Sequence, residues 1–202
     1  MDHIGGVTGA ITGREVGTAL LTSFVDTRPG ADFAQLLLRG RGIPIIKAEK
    51  GMTGDLGEFS WQVLSPHRGA PETEDSNDGS ITMLWEDKQI ALFTLADLGE
   101  KGQLRLGQEQ GNLLTSGFGG RTVVVKVAHH GSADQSPEFY EAIKPAISII
   151  SVGLHNSYGH PTDRTLNFLG LLGTQILRTD KQGAIGVTET SSGLEVSVAG
   201  RS

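Results

Sequence analysis

The sequence contains no cysteine, which excludes disulfides and thiolate zinc sites and leaves histidine and carboxylate as the strong ligands for a metal ion. It contains no long hydrophobic run either: its apolar stretches, such as 43–46 and 123–125, fall far short of the roughly 20 residues a membrane helix needs. This chain by itself is therefore not expected to insert into a bilayer. Its opening, Met1-Asp2-His3-Ile4-Gly5-Gly6, shows neither the basic flank nor the apolar stretch of a secretory signal. Basic charge is not in excess, with 17 Lys and Arg against 23 Asp and Glu and a formal net charge of -6. A long non-specific electrostatic grip on nucleic acid is thereby disfavoured, and any DNA contact must be local or metal-mediated.

What is present fits a folded domain. The 202 residues, 37% hydrophobic and 20% charged, suffice for one domain with a real core and are too apolar for disorder, so residues 1–202 are read as one unit. The 29 glycines are dispersed, as in many short elements joined by tight turns. A helix is expected over 31–39 and strands over 43–48 and 58–64. The polar stretch 65–79 reads as an exposed loop, and 80–86 and 89–96 as a hairpin turning at Asp87-Lys88. The second half alternates strand and helix, the signature of an α/β layered fold. Strands are expected over 122–128, 146–152, 175–179, 184–188 and 194–198. One helix is capped by Ser136 with Pro137 at its first position, and a second starts at Thr162-Asp163 and ends at Gly173.

Histidines mark the candidate chemistry. His129 and His130 directly follow a strand, where α/β folds place their sites, and Gly131-Ser132 beside them offers close backbone approach and a hydroxyl. Asp97 ends the apolar strand 91–96 and reads either as a metal ligand or as an ordinary helix N-cap. Asp2-His3 pairs a carboxylate with an imidazole. The loop 153–161, with Asn156, Tyr158 and His160, lies between a buried strand and a helix N-terminus; it suits phosphate binding, or is a turn with the tyrosine packed over it. His67 reads as a solvated surface residue.

Taken in order, these stretches resemble the metallo-β-lactamase-like domain of ComEC-type competence proteins. Asp2-His3-Ile4-Gly5-Gly6 resembles the end of that family's HxHxDH-x-GG motif, Ser76-Asn77-Asp78-Gly79-Ser80 its NDNS segment, and Leu95-Ala96-Asp97 its TGD motif. Val127-Ala128-His129-His130-Gly131-Ser132 resembles HHGS, Asn156-Ser157-Tyr158-Gly159-His160-Pro161 resembles N-x-YGHP, and Arg178-Thr179-Asp180 with Gly183 resembles RTD-x-x-G. The resemblance implies an α/β fold, a metallo-β-lactamase-like four-layer αββα sandwich lacking its first strands, and metal-assisted hydrolysis, a phosphodiesterase or nuclease acting on DNA during uptake. It assigns Asp2, His3, Asp97, His129 and His130 to a divalent metal, Zn2+ or Mn2+, gives Asp2 and His130 catalytic roles, and puts Ser132, Asn156, Tyr158 and His160 on the substrate side. It further implies single-stranded DNA and the membrane channel portion of a competence protein as partners, and the outer face of the cytoplasmic membrane as location, or the cytoplasm for a free chain. The sequence departs from the pattern where two motif histidines would precede Asp2, at Ala96 in place of Gly, and at Asn77 and Ser80, where related domains place a histidine. These departures keep two alternatives in view: a catalytically inactive scaffold of the same fold, and a hydrolase of small esters or lactones.

Overall fold

The structure, a computed structural model, describes residues 3–24, 29–67, 76–191 and 193–200. A short helix α1 (Val7–Ile11) leads to strand β1 (Ala19–Thr22), helix α2 (Pro29–Gly40) and strand β2 (Ile45–Ala48). β1 and β2 pair in parallel, from Ala19 beside Ile45 to Thr22 beside Ala48. Parallel neighbours need a crossover, and α2 supplies it. Ile11, Leu38 and Ile43 form the core between this ribbon and its two helices.

A seven-stranded sheet follows. β3 (Thr53–Leu56), β4 (Phe59–Ser65), β5 (Thr82–Glu86) and β6 (Ile90–Thr94) are antiparallel neighbours. The β5–β6 hairpin turns as expected: the Asp87 carboxylate accepts from the Gln89 and Ile90 amides at 2.8 and 2.7 Å. From β6 the pairing becomes parallel, through α3 (Glu100–Glu109) and α4 (Gly111–Ser116) to β7 (Thr122–Lys126), through α5 (Pro137–Ile143) to β8 (Ile147–Ile150), and through α6 (Asp163–Leu171) to β9 (Gln175–Arg178). Spatial order equals chain order, β3 to β9. A short helix α7 (Thr179–Gln182) then leads to an antiparallel ribbon of β10 (Ile185–Thr190) and β11 (Gly193–Val198).

Strand residues alternate between faces, and each face has its own cover. Phe93, Leu95, Val123 and Val125 pack under the helices with Leu106, Phe139, Tyr140 and Leu169. On the other face Ile90, Val124, Ile147 and Leu177 meet Val187, Leu194 and Val196 of the β10–β11 ribbon, while Val63 and Met83 meet Ala48 and Leu20 of the β1–β2 ribbon. The molecule is thus an α/β sandwich built on a mixed central sheet. The predicted Ser136 cap is present, its Oγ accepting from Phe139 N at 3.2 Å, and Thr162, where the next helix was expected to start, caps it by accepting from Thr165 N at 3.4 Å.

The structure differs from the sequence reading in several elements. The Gly/Thr-rich opening contains α1 and β1, β3 precedes β4, and the region between Leu98 and Arg121 contains α3 and α4; of these only a helix after Asp97 was in view, as the alternative reading of that residue. The expected loop 65–79 begins with the last residue of β4 and ends in a single 3-10 turn, Ser76–Gly79; residues 68–75 of it lie outside the described residues. His67 is not simply solvated, because its Nε2 lies 3.2 Å from Glu109 Oε1.

Candidate metal and substrate site

Four parallel strands release their chains at the same edge of the sheet, the carboxyl edge where open α/β sheets gather ligands. β6 runs into Leu95-Ala96-Asp97, β7 into Val127 to Ser132, β8 into the loop ending at Pro161, and β9 into Thr179-Asp180. Loop-to-loop hydrogen bonds fix these segments to one another. His129 N donates to Ala96 O at 2.9 Å, Thr162 N to Gly131 O at 2.9 Å, and Thr165 Oγ1 to Ser132 O at 2.6 Å. Gly131, at φ +79°, lies so close to Pro161 that a Cβ would come within 2.6 Å of the proline Cβ. A side chain there would push the two loops apart.

His3, delivered by the turn before α1, reaches into this edge. Its Nε2 is 2.7 Å from Asp97 Oδ2 and 3.3 Å from His130 Nε2. His130 Nδ1 donates to Ser151 O at 2.7 Å, which fixes the tautomer and leaves the Nε2 lone pair turned to the cluster, the arrangement typical of a metal-ligating histidine. His3, Asp97 and His130 each offer a ligand atom within 4.8 Å of the others. His129 adds its Nε2 at 4.0 Å from Asp97 Oδ2. Among the described residues, Asp97 Oδ1 and His129 Nδ1 are buried and make no hydrogen bond. Buried polar atoms are normally satisfied, and an imidazole and carboxylate set of this kind suits a divalent first-row cation. The donor set therefore fits such an ion. Asp97 is not the N-cap of α3, since Gly99 holds that position.

Burial pushes the Asp97 carboxyl up, but the hydrogen bond from His3 and the charges of His3, His129 and His130 outweigh it, so the group sits below the ordinary carboxylate range. His160 is held below the ordinary imidazole value by burial and by His129 and His130, against the pull of Asp97.

The cluster opens into a cavity of about 1190 Å³ that reaches Leu20, Ala34 and Lys47 on the β1–β2 side and Asn156, Tyr158 and His160 opposite. The sequence-expected residues distribute as follows. His3, Asp97, His129 and His130 come together, and Asn156, Tyr158 and His160 line the same cavity. Ser132 is only 4% exposed and does not line it; its hydroxyl accepts from Asp134 N at 3.3 Å, bracing the loop. Asp2 lies outside the described residues. Ser80 Oγ accepts from Asp97 N at 3.1 Å and so steadies the carboxylate from the backbone side.

The 185 residues aligned with ComE operon protein 3 of Bacillus subtilis (strain 168) are 28% identical and span 91% of this chain. Competence protein ComA of Neisseria gonorrhoeae is 36% identical over 113 residues, 55% of this chain. The second of these is a competence protein by name. The two relatives support a competence-related family for the chain, which spans 23% and 15% of their respective lengths. No protein-family model matches the chain.

One group of residues escaped the sequence reading. Gln103, Gln135 and Tyr140 are wholly buried behind the site. Gln135 Nε2 donates to Ala128 O at 3.0 Å, Tyr140 Oη donates to Gln135 Oε1 at 2.8 Å, and Ala128 N donates back to Tyr140 Oη at 3.3 Å. Gln103 Nε2 donates to Gln135 Oε1 at 3.2 Å and also to Leu98 O. The network joins the residue after Asp97 to the residue before His129. No periodicity marked these glutamines as buried, because Gln103 lies on α3, which the sequence left unread, and Gln135 in the loop before α5.

Proposed function

We propose that the chain is a metallo-β-lactamase-like domain that hydrolyses DNA phosphodiesters with a divalent cation, Zn2+ or Mn2+, during DNA uptake. The observation that carries this reading is the convergence of His3, Asp97 and His130 on one point, with buried atoms on Asp97 and His129 that make no hydrogen bond. His3, Asp97 and His130 would hold the cation, with His129 and Asp2 as further ligands. When bound, the cation supplies Lewis-acid polarisation at a phosphoryl oxygen. The protein's own groups do the rest. Ser151 O keeps the His130 proton on Nδ1, and Asp97, held below the ordinary carboxylate range, would offset the charge of a bound cation. His160, kept neutral, presents an imidazole to the substrate side of the cavity, and Asn156 and Tyr158 border the same space.

Similarity to ComE operon protein 3 and to a competence protein supports DNA as the substrate. The membrane channel portion of such a protein is the proposed partner and the outer face of the cytoplasmic membrane the proposed place of action; among the described residues no helix is long and apolar enough to cross a membrane. The test is cleavage of end-labelled DNA by the purified chain with Mn2+ or Zn2+, beside Asp97→Ala and His130→Ala. Cation-dependent cleavage should fall by more than about 100-fold in either variant. A parent that cleaves no DNA with either cation, or an Asp97→Ala variant as fast as the parent, would sink the reading, and turnover of a lactone instead would redirect it to small-molecule hydrolysis.

A further inference from the structure

We propose that Tyr158 is a stacking platform for one unpaired base of the DNA, so that the site selects single strands over duplex; this rests on the reading of the cavity as a phosphodiester site. The chain has two tyrosines. Tyr140 is wholly buried in the core, whereas Tyr158 is 79% exposed at the cavity wall. Its exposure is not that of a loose loop tip. Asn156 Oδ1 accepts from Tyr158 N at 2.9 Å while Asn156 Nδ2 donates to His160 O at 2.6 Å, so one side chain staples both ends of the Tyr158–His160 turn. The Tyr158 ring lies over the His160 ring at 28° with centroids 6.2 Å apart, and His160 meets His129 edge-on at 5.5 Å. The tyrosine is thus supported on one side and sits two ring contacts from a histidine of the metal cluster.

The chemistry of the surroundings selects the ligand. With a net charge of -6, and with Lys47 as the sole Lys or Arg among the described residues lining the cavity, the described residues form no basic groove to track a phosphate backbone. Beyond a phosphate contact to a bound cation, retention of a strand beside the site rests on base contacts, and an aromatic ring accepts every base because each has a π-face. A ring already braced by its neighbours loses little freedom on binding. In a duplex both faces of an internal base are covered, and uncovering one costs a few kcal/mol, which sets the preference for an unpaired strand.

The experiment is binding in EDTA of a short oligonucleotide carrying 2-aminopurine, single-stranded or annealed to its complement, to the parent chain and to Tyr158→Ala, Tyr158→Phe and Tyr158→Trp. Single-stranded binding should quench the probe, should weaken by roughly 5- to 150-fold in Tyr158→Ala, and should survive in the two aromatic variants, which separates stacking from a role of the hydroxyl or of loop folding. Equal affinity of the parent and Tyr158→Ala, equal affinity for the two DNA forms, or no binding at all would overturn the proposal. Hydrolysis of a small phosphodiester bearing no base, assayed with Mn2+ on the parent, keeps the two readings apart. Turnover with Tyr158-independent DNA binding removes the platform alone, and Tyr158-dependent binding without turnover of any phosphodiester removes the hydrolase reading.

Discussion

Three residues at the site carry left-handed backbone without being glycine: Ala96 at φ 47°, His129 at φ 45° and His130 at φ 53°. Each L-residue in this region is strained, by about 1–2 kcal/mol, and such strain persists where the surroundings over-determine it, as at ligand sites. For the two histidines the return is direction: successive side chains both turn toward Asp97. Ala96 gains nothing comparable, since only its backbone is used, as acceptor for His129 N. Ala96→Gly should therefore stabilise the fold by about 1 kcal/mol, seen as a higher urea midpoint at unchanged slope, with cation affinity retained. A lower midpoint would mean that the alanine methyl contributes packing that outweighs its backbone strain. The departure from TGD is visible in the sequence, but the left-handed turn that makes it costly is a property of the three-dimensional edge.

At the scale of elements, the best-marked segments were those with local chemistry to read. Ser136-Pro137 starts α5, Thr162 starts α6, and Asp87 closes the β5–β6 turn. α3 was hidden because Gly102 and Gly107 lower its helix propensity. The structure supplies the reason for Gly102, where a Cβ would collide with Leu98; at Gly107 a Cβ would make only ordinary contact, 3.5 Å from Phe139 of α5. β1 and β3 are four residues each, with burial that does not alternate, and so left no period-two signal. The candidate ligands were readable as motifs, whereas the Gln103–Gln135–Tyr140 network depends on a contact 32 positions apart in chain order, Gln103 to Gln135, and was not. That network predicts its own phenotype. Gln135→Leu would leave Ala128 O and Gln103 Nε2 short of partners in the core, costing about 2–3 kcal/mol in urea unfolding, and, by loosening His129, should weaken cation binding about 10-fold or more. Lost stability with unchanged cation affinity would reduce the network to a purely structural role.

For the whole molecule, the arrangement follows from two demands on one sheet. Its helix-covered face supplies the larger core, and its opposite face is shared between two separate ribbons, β1–β2 and β10–β11. The alternation of strand and helix in the second half revealed the first of these layers; the ribbons were not foreseeable because their packing depends on partners far away in the chain. The cavity lies where the β1–β2 ribbon and the turn carrying His3 close over the carboxyl edge of the sheet. A cation binding there would tie His3 to Asp97 and His130, joining the opening turn of the chain to the central sheet. Ligands that bind only the folded state raise its stability by mass action, about 2.7 kcal/mol at 100 times Kd, which for a domain of this size corresponds to roughly 5–10 °C in Tm. The decisive measurement is thus the thermal shift of the purified chain with Mn2+ and Zn2+, beside the Asp97→Ala/His129→Ala double variant. A saturable rise of that size in the parent, absent from the double variant, is the predicted result; an unchanged Tm in the parent up to millimolar cation, or the same rise in both proteins, would contradict a metal centre at this edge.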